Sequence, residues 1–66
     1  MKIFVNGEAA EHRPGLTISE LIEFHRLAPA TALVELNGVA LSRREWERKS
    51  LKENDRVEIL QVAAGG

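Results

Sequence analysis

Few residues in this chain carry reactive groups, and they do not gather. His12 and His25 have no third histidine, cysteine or carboxylate at metal-ligand spacing. There is no cysteine, which excludes a thiolate nucleophile, thiolate metal ligation and disulfides. Glu53, Asp55 and Glu58 lack the spacing of a calcium loop. No phosphate loop and no nucleophile–base set is present, so an autonomous enzyme is not expected. There remains the C-terminal carboxylate after Gly65–Gly66. A carboxylate is a poor electrophile until it acquires a leaving group, and the groups that attack it must then reach the carbonyl. Glycine has no Cβ, so Gly65 and Gly66 can thread a channel closed to other residues. Alone the pair could be a frayed end or a cloning remnant; on a folded scaffold it reads as a carboxylate presented to other proteins, with Gly66 bearing it and Gly65 giving access. Residues 63–66, fully extended, would reach about 13–14 Å beyond Val62.

Such a group needs a scaffold, and 66 residues provide one small domain. Residues 1–62 are expected to form it, with 63–66 as a flexible tail. A domain of this size buries about 60% of the surface of its unfolded chain. That allows a thin core of one sheet and one helix. The net charge of −1 is unlike that of a phosphate-backbone binder, so no nucleic-acid partner is expected. No apolar run approaches the ~20 residues that span a bilayer, and the N-terminal stretch is too short for a signal peptide. The expected setting is cytoplasmic, with no membrane partner.

Alternating Lys2–Asn6 reads as a strand, and Asn6-Gly7 predicts a tight hairpin into a second strand over about Glu8–Arg13. Pro14-Gly15 stops it. Thr17 with Glu20 forms a capping box, and Leu16 with Leu21 a hydrophobic staple. Ile18, Leu21, Ile22 and His25 follow helical spacing and should face the sheet. Pro29 ends the helical region. Ala32–Leu36 is a third strand, Asn37-Gly38 a second hairpin turn, and Val39–Leu41 a short fourth strand. Ser42 with Glu45 caps a short helical segment to about Arg48, where Trp46 is a packing residue and Leu51 a buried anchor. Arg43, Arg44, Arg48 and Lys49 alternate with Glu45 and Glu47, which reads as a solvated face. Arg56–Val62 is the last strand. This order predicts an α+β fold of the ubiquitin-like β-grasp type. It has a mixed four- to five-stranded sheet, one main helix, a short helical turn, and the last strand central and parallel to the first.

Five stretches make the chain resemble the ThiS sulfur-carrier proteins of thiamine biosynthesis. They are Val5-Asn6-Gly7-Glu8, Thr17–Ile22, Val34–Gly38, Arg43–Trp46 and Asp55–Ile59, in that order and followed by Gly65-Gly66. Two positions depart from the family pattern. Asn54 stands where the family usually has Gly, and Asn also tolerates the left-handed backbone. His25 stands where the family usually has Leu. Either the helix ends differently here, or Phe24 or Leu27 fills that space.

The resemblance implies a cycle. A ThiF-type adenylating enzyme, using ATP and magnesium, converts the Gly66 carboxylate to an acyl-adenylate. A persulfide sulfur donor displaces AMP, and the resulting thiocarboxylate passes its sulfur to thiazole synthase. No cofactor would be held permanently. A carrier also needs a docking face. Strand alternation puts Val57 and Ile59 toward the helix and leaves Phe4, Leu60 and Val62, with Leu33, as an apolar patch on the outer face. Alternative readings are a carrier for molybdopterin or another pathway, a ubiquitin-like protein modifier, and a binding module with an inert tail.

Overall fold

β1 (Lys2–Val5) and β2 (Glu8–Glu11) form an antiparallel hairpin around Asn6-Gly7. Both turn residues adopt positive φ, 50° and 84°, as a type I′ turn demands. This computed structural model describes residues 1–63, so Gly65 and Gly66, with most of the expected tail, lie outside the described residues. β2 ends two residues short of the expected Arg13. Beyond it, the His12 N–H is donated to the Met1 carbonyl at 3.0 Å.

α1 (Ile18–Phe24) starts on the expected capping box. The Thr17 hydroxyl accepts the Glu20 N–H at 3.1 Å, and the Glu20 carboxylate accepts the Thr17 N–H at 3.0 Å. That backbone hydrogen bond holds the Glu20 carboxyl below its usual range. The first two helical N–H groups find partners far along the chain. Ile18 donates to Lys49 and Ser19 to Trp46, at 3.0 and 3.1 Å.

The helix ends earlier than the stripe ending on His25 implies. Arg26 takes φ 56°, and Leu27 donates to Ile22 across six residues at 3.1 Å, which is a Schellman closure with arginine where glycine is usual. His25 is therefore a solvent-exposed cap residue beside Val5, Ala9 and Ala10 of the hairpin, and not part of the core. Leu27 packs against the core instead.

A 3₁₀ turn at Pro29–Thr31 leads into β3 (Ala32–Leu36), which pairs antiparallel with β4 (Val39–Leu41) around Asn37-Gly38. Ser42 and Glu45 make their capping box, but the segment is a single 3₁₀ turn, Arg43–Glu45, followed by turns. Asn54, at φ 69°, supplies the left-handed residue before β5 (Arg56–Gln61). The sheet has five strands in the order β2-β1-β5-β3-β4, with β5 parallel to β1. This is the β-grasp arrangement.

The core lies between the sheet and α1. Ile3, Val34, Val57 and Ile59 from the sheet meet Ile18, Leu21 and Ile22 from the helix, with Leu16, Trp46 and Leu51 closing one end. Each such side chain, fully buried, contributes about 1.5–3 kcal/mol. Trp46 packs as expected, although its Nε1–H has no partner among the described residues.

Candidate docking face and tail-bearing strand

β5 carries the chain toward its C-terminus, and its neighbours fix which way its side chains point. Val57 and Ile59 enter the core, leaving Arg56, Glu58 and Leu60 on the outer face. On β3, Leu33 lies opposite Leu60 and Glu35 opposite Glu58. Leu33 is 56% exposed and Leu60 61%, so the two form an apolar pair open to solvent. Val62 comes just beyond the strand, 42% exposed, with its N–H donated to the Thr31 carbonyl at 2.9 Å.

Phe4 does not join this group. It pairs with Arg56, four residues back along β5 from Leu60, or about 13 Å at strand rise. Its ring is half-buried beneath two cations, with the Arg56 guanidinium 5.2 Å and the Lys2 ammonium 5.4 Å from its centre. Glu58 and Asn6 stand between the two apolar areas. The single four-residue patch expected from alternation is thus divided. Leu33, Leu60 and Val62 lie at the tail end, and Phe4 is covered at the other. Alternation set the face correctly and put Lys2 beside Phe4 on it, but did not show that Arg56 of β5 also covers the ring.

The strand is clamped on both edges by asparagines. The Asn6 side chain accepts the Ile59 N–H at 2.7 Å and donates to the Ile59 carbonyl at 3.2 Å. The Asn37 side chain accepts the Arg56 N–H at 2.9 Å and donates to Asp55 at 3.1 Å. Asp55 is buried, and its other oxygen accepts the Lys52 N–H at 2.9 Å. The Asn-Gly dipeptides are visible in the sequence as turn formers; nothing local shows their amides reaching β5.

A second feature has no counterpart in the local sequence pattern. Phe24 is exposed and stacks edge-on with His12 at 4.7 Å and His25 at 5.3 Å. Phe24 lies off the helix's apolar stripe, which was its one legible signal. Partial burial lowers the His12 pKa, and the nearby His25 and N-terminal ammonium lower it further, against an opposing effect of Glu11. Among the described residues, no three His, Asp or Glu side chains could hold a metal ion. No helix there is long and apolar enough to cross a membrane.

The outer face thus carries an exposed apolar group at the end of a central strand, and no metal-ligating cluster is found among the described residues. Comparison with known proteins agrees with this picture. The ThiS family model matches residues 3–66. This chain belongs to the ThiS family. It is 30% identical to the sulfur carrier protein ThiS of Escherichia coli, over the full length of both chains. A crystal structure of the thiamine biosynthesis protein ThiS from Geobacter metallireducens superimposes with a TM-score of 0.85 at 33% identity, covering both chains completely. The chain is also 33% identical to part of a thiazole synthase from Magnetococcus marinus, spanning 20% of that longer protein. As a ThiS-family member, it keeps the β-grasp sheet with its last strand at the centre.

Proposed function

We propose that this chain is a sulfur carrier of thiamine biosynthesis, and that Gly66 carries the sulfur. The observation that carries the proposal is the 30% identity to the Escherichia coli sulfur carrier over the full length of both chains. The position of β5 supports it, because a central strand held on both edges gives the residues after it a fixed origin.

The chemistry balances in three steps. An adenylating partner transfers AMP from magnesium-bound ATP to the Gly66 carboxylate, releasing pyrophosphate. The terminal sulfur of a partner's persulfide attacks the acyl carbon, and AMP leaves. A thiol then cleaves the new sulfur–sulfur bond, forming a disulfide and freeing the thiocarboxylate. Thiazole synthase is the acceptor, a role supported by the Magnetococcus marinus relative, where a matching segment belongs to a chain of that name. The carrier supplies no acid or base, and acts as co-substrate. Leu33, Leu60 and Val62 form the apolar part of its docking face, beside the tail, and Gly65 gives the enzyme access to Gly66.

Intact-mass spectrometry tests this. With an adenylating enzyme of proven competence, ATP, magnesium and a persulfide source, the chain should gain the mass of one oxygen-to-sulfur exchange at its C-terminus. An unchanged mass rejects the proposal. Removing Gly66 should abolish the gain and leave the thermal midpoint unaltered.

A further inference from the structure

β5 outruns β1. The parallel pairing ends at Val5↔Val57, whereas pairing with β3 continues to Ala32↔Gln61. Backbone groups along a strand alternate between its two neighbours. Here Arg56 and Val62 bond toward the β3 side, through Asn37 and Thr31. Asp55 and Val57 bond toward β1, through the N–H groups of Phe4 and Asn6. The next rung on the β1 side is Ile59, and β1 has already turned away at Gly7. The Asn6 side-chain amide takes its place, meeting both the N–H and the carbonyl of Ile59 as a backbone amide would. One rung further, no strand of the described residues lies beside Gln61 on this side. Its side chain reaches the opposite way, donating to Thr31 Oγ1 at 3.1 Å and to the Ala28 carbonyl at 3.4 Å, and leaves this edge uncovered. The Val62–Thr31 bond extends the alternation by one residue beyond the strand.

An open stretch of central-strand edge is a template for another backbone. We propose that the Gln61 edge is a strand-addition site that takes an extended segment of thiazole synthase, entering where β1 leaves off. The inference rests on the carrier reading above for its choice of partner. That choice is supported by the relative in which a domain like this one is part of a thiazole synthase chain. Main-chain pairing here would grip the strand immediately before the tail and set the direction in which the tail leaves the domain.

A 66-residue chain is within reach of total synthesis, which permits single-atom backbone changes. One synthetic chain would carry an ester oxygen in place of the Gln61 N–H. Its thermal midpoint should fall only slightly, because that N–H faces the open edge and the ester otherwise weakens one acceptor, the Leu60 carbonyl on the β3 side. Its affinity for thiazole synthase should fall roughly 3- to 10-fold, as the loss of one hydrogen bond implies. In the parent complex, the Gln61 amide should exchange with deuterium more slowly than in the free chain. A parent that binds, with an ester chain that binds equally well or a Gln61 amide that exchanges as freely as before, overturns the inference and leaves the carrier reading standing. Protection of Gln61 that rises with concentration in the carrier alone also overturns it, by assigning the edge to a second copy. A parent that does not bind thiazole synthase removes the partner and overturns the inference. The mass-gain assay then decides separately whether the chain still accepts sulfur.

Discussion

The two Asn-Gly turns are nearly superimposable in their backbone and different in their duties. Asn6 and Asn37 have φ of 50° and 51°, and both following glycines have φ 84°. Each asparagine donates its backbone N–H to β5 at 2.8 Å, Asn6 to Val57 from one edge and Asn37 to Arg56 from the other. Their side chains diverge. Asn6 satisfies a backbone rung that β1 does not reach. Asn37 is tied to a buried carboxylate that also fixes the turn before β5. One dipeptide therefore replaces a missing strand residue, and the other partners a buried charge. The second duty is energetically heavier, since an unmatched buried charge costs more than a neutral backbone group exposed to water.

The largest test uses aspartate at both turns. Asn37→Asp places a carboxylate against Asp55 and should cost about 3 kcal/mol in urea denaturation, as for a broken buried pair. Asn6→Asp keeps the acceptor for Ile59 N–H and loses only the donor, which should cost about 1 kcal/mol. Equal losses would remove the distinction between the turns. Glycine sharpens it next, because it keeps the positive φ and deletes only the amide. Asn37→Gly should cost about 2 kcal/mol, the value of a hydrogen bond to a charged group, and Asn6→Gly about 1 kcal/mol.

A smaller gain is expected on the face that Asn6 borders. Glu35 and Glu58 are directly opposed like charges, so Glu58→Gln should stabilise the fold by about 0.3 kcal/mol at low salt, with the gain shrinking as salt is added. The same result at high salt would argue against repulsion as its source.

The smallest effect separates the turns from the titrating groups, as asparagine does not titrate. His12 is held below its usual value of 6.5, with His25, Phe24, Glu11 and the N-terminal ammonium around it. The unfolded chain thus takes up a proton at higher pH than the folded one. The stability that His12 contributes is complete above pH 6.5 and is lost as pH falls through that value toward the lower folded one. Denaturation midpoints recorded between about pH 5 and 8 should show this slope, and His12→Gln should flatten it while leaving the difference between Asn6 and Asn37 variants intact.

Much of the fold was legible in the residues. Both hairpins, both capping boxes and the alternation of β5 are local patterns, and each is present, with Leu16 and Leu21 both buried in the core. The helix C-terminus was not legible, because Arg26 does there the work that sequence logic assigns to glycine. The fate of His25 depended on that. On the candidate site, alternation found the outward face of Leu33, Leu60 and Phe4, but the Phe4 ring lies beneath Lys2 and Arg56, which come from different strands. The cluster of Phe24 with its two histidines was equally illegible, because it joins the end of β2 to the end of α1.

Residue types alone dictated where this chain turns, where its helix begins and which side chains of each strand share a face. Those features depend on backbone sterics and contacts a few residues apart, which the residues encode directly. The partners held by the turns were settled by the assembled sheet. Asn6 meets Ile59 across 53 positions and Asn37 meets Asp55 across 18, contacts that exist only once β5 has entered between β1 and β3. The same insertion leaves the Gln61 edge open, because β5 is longer than the strand it lies beside.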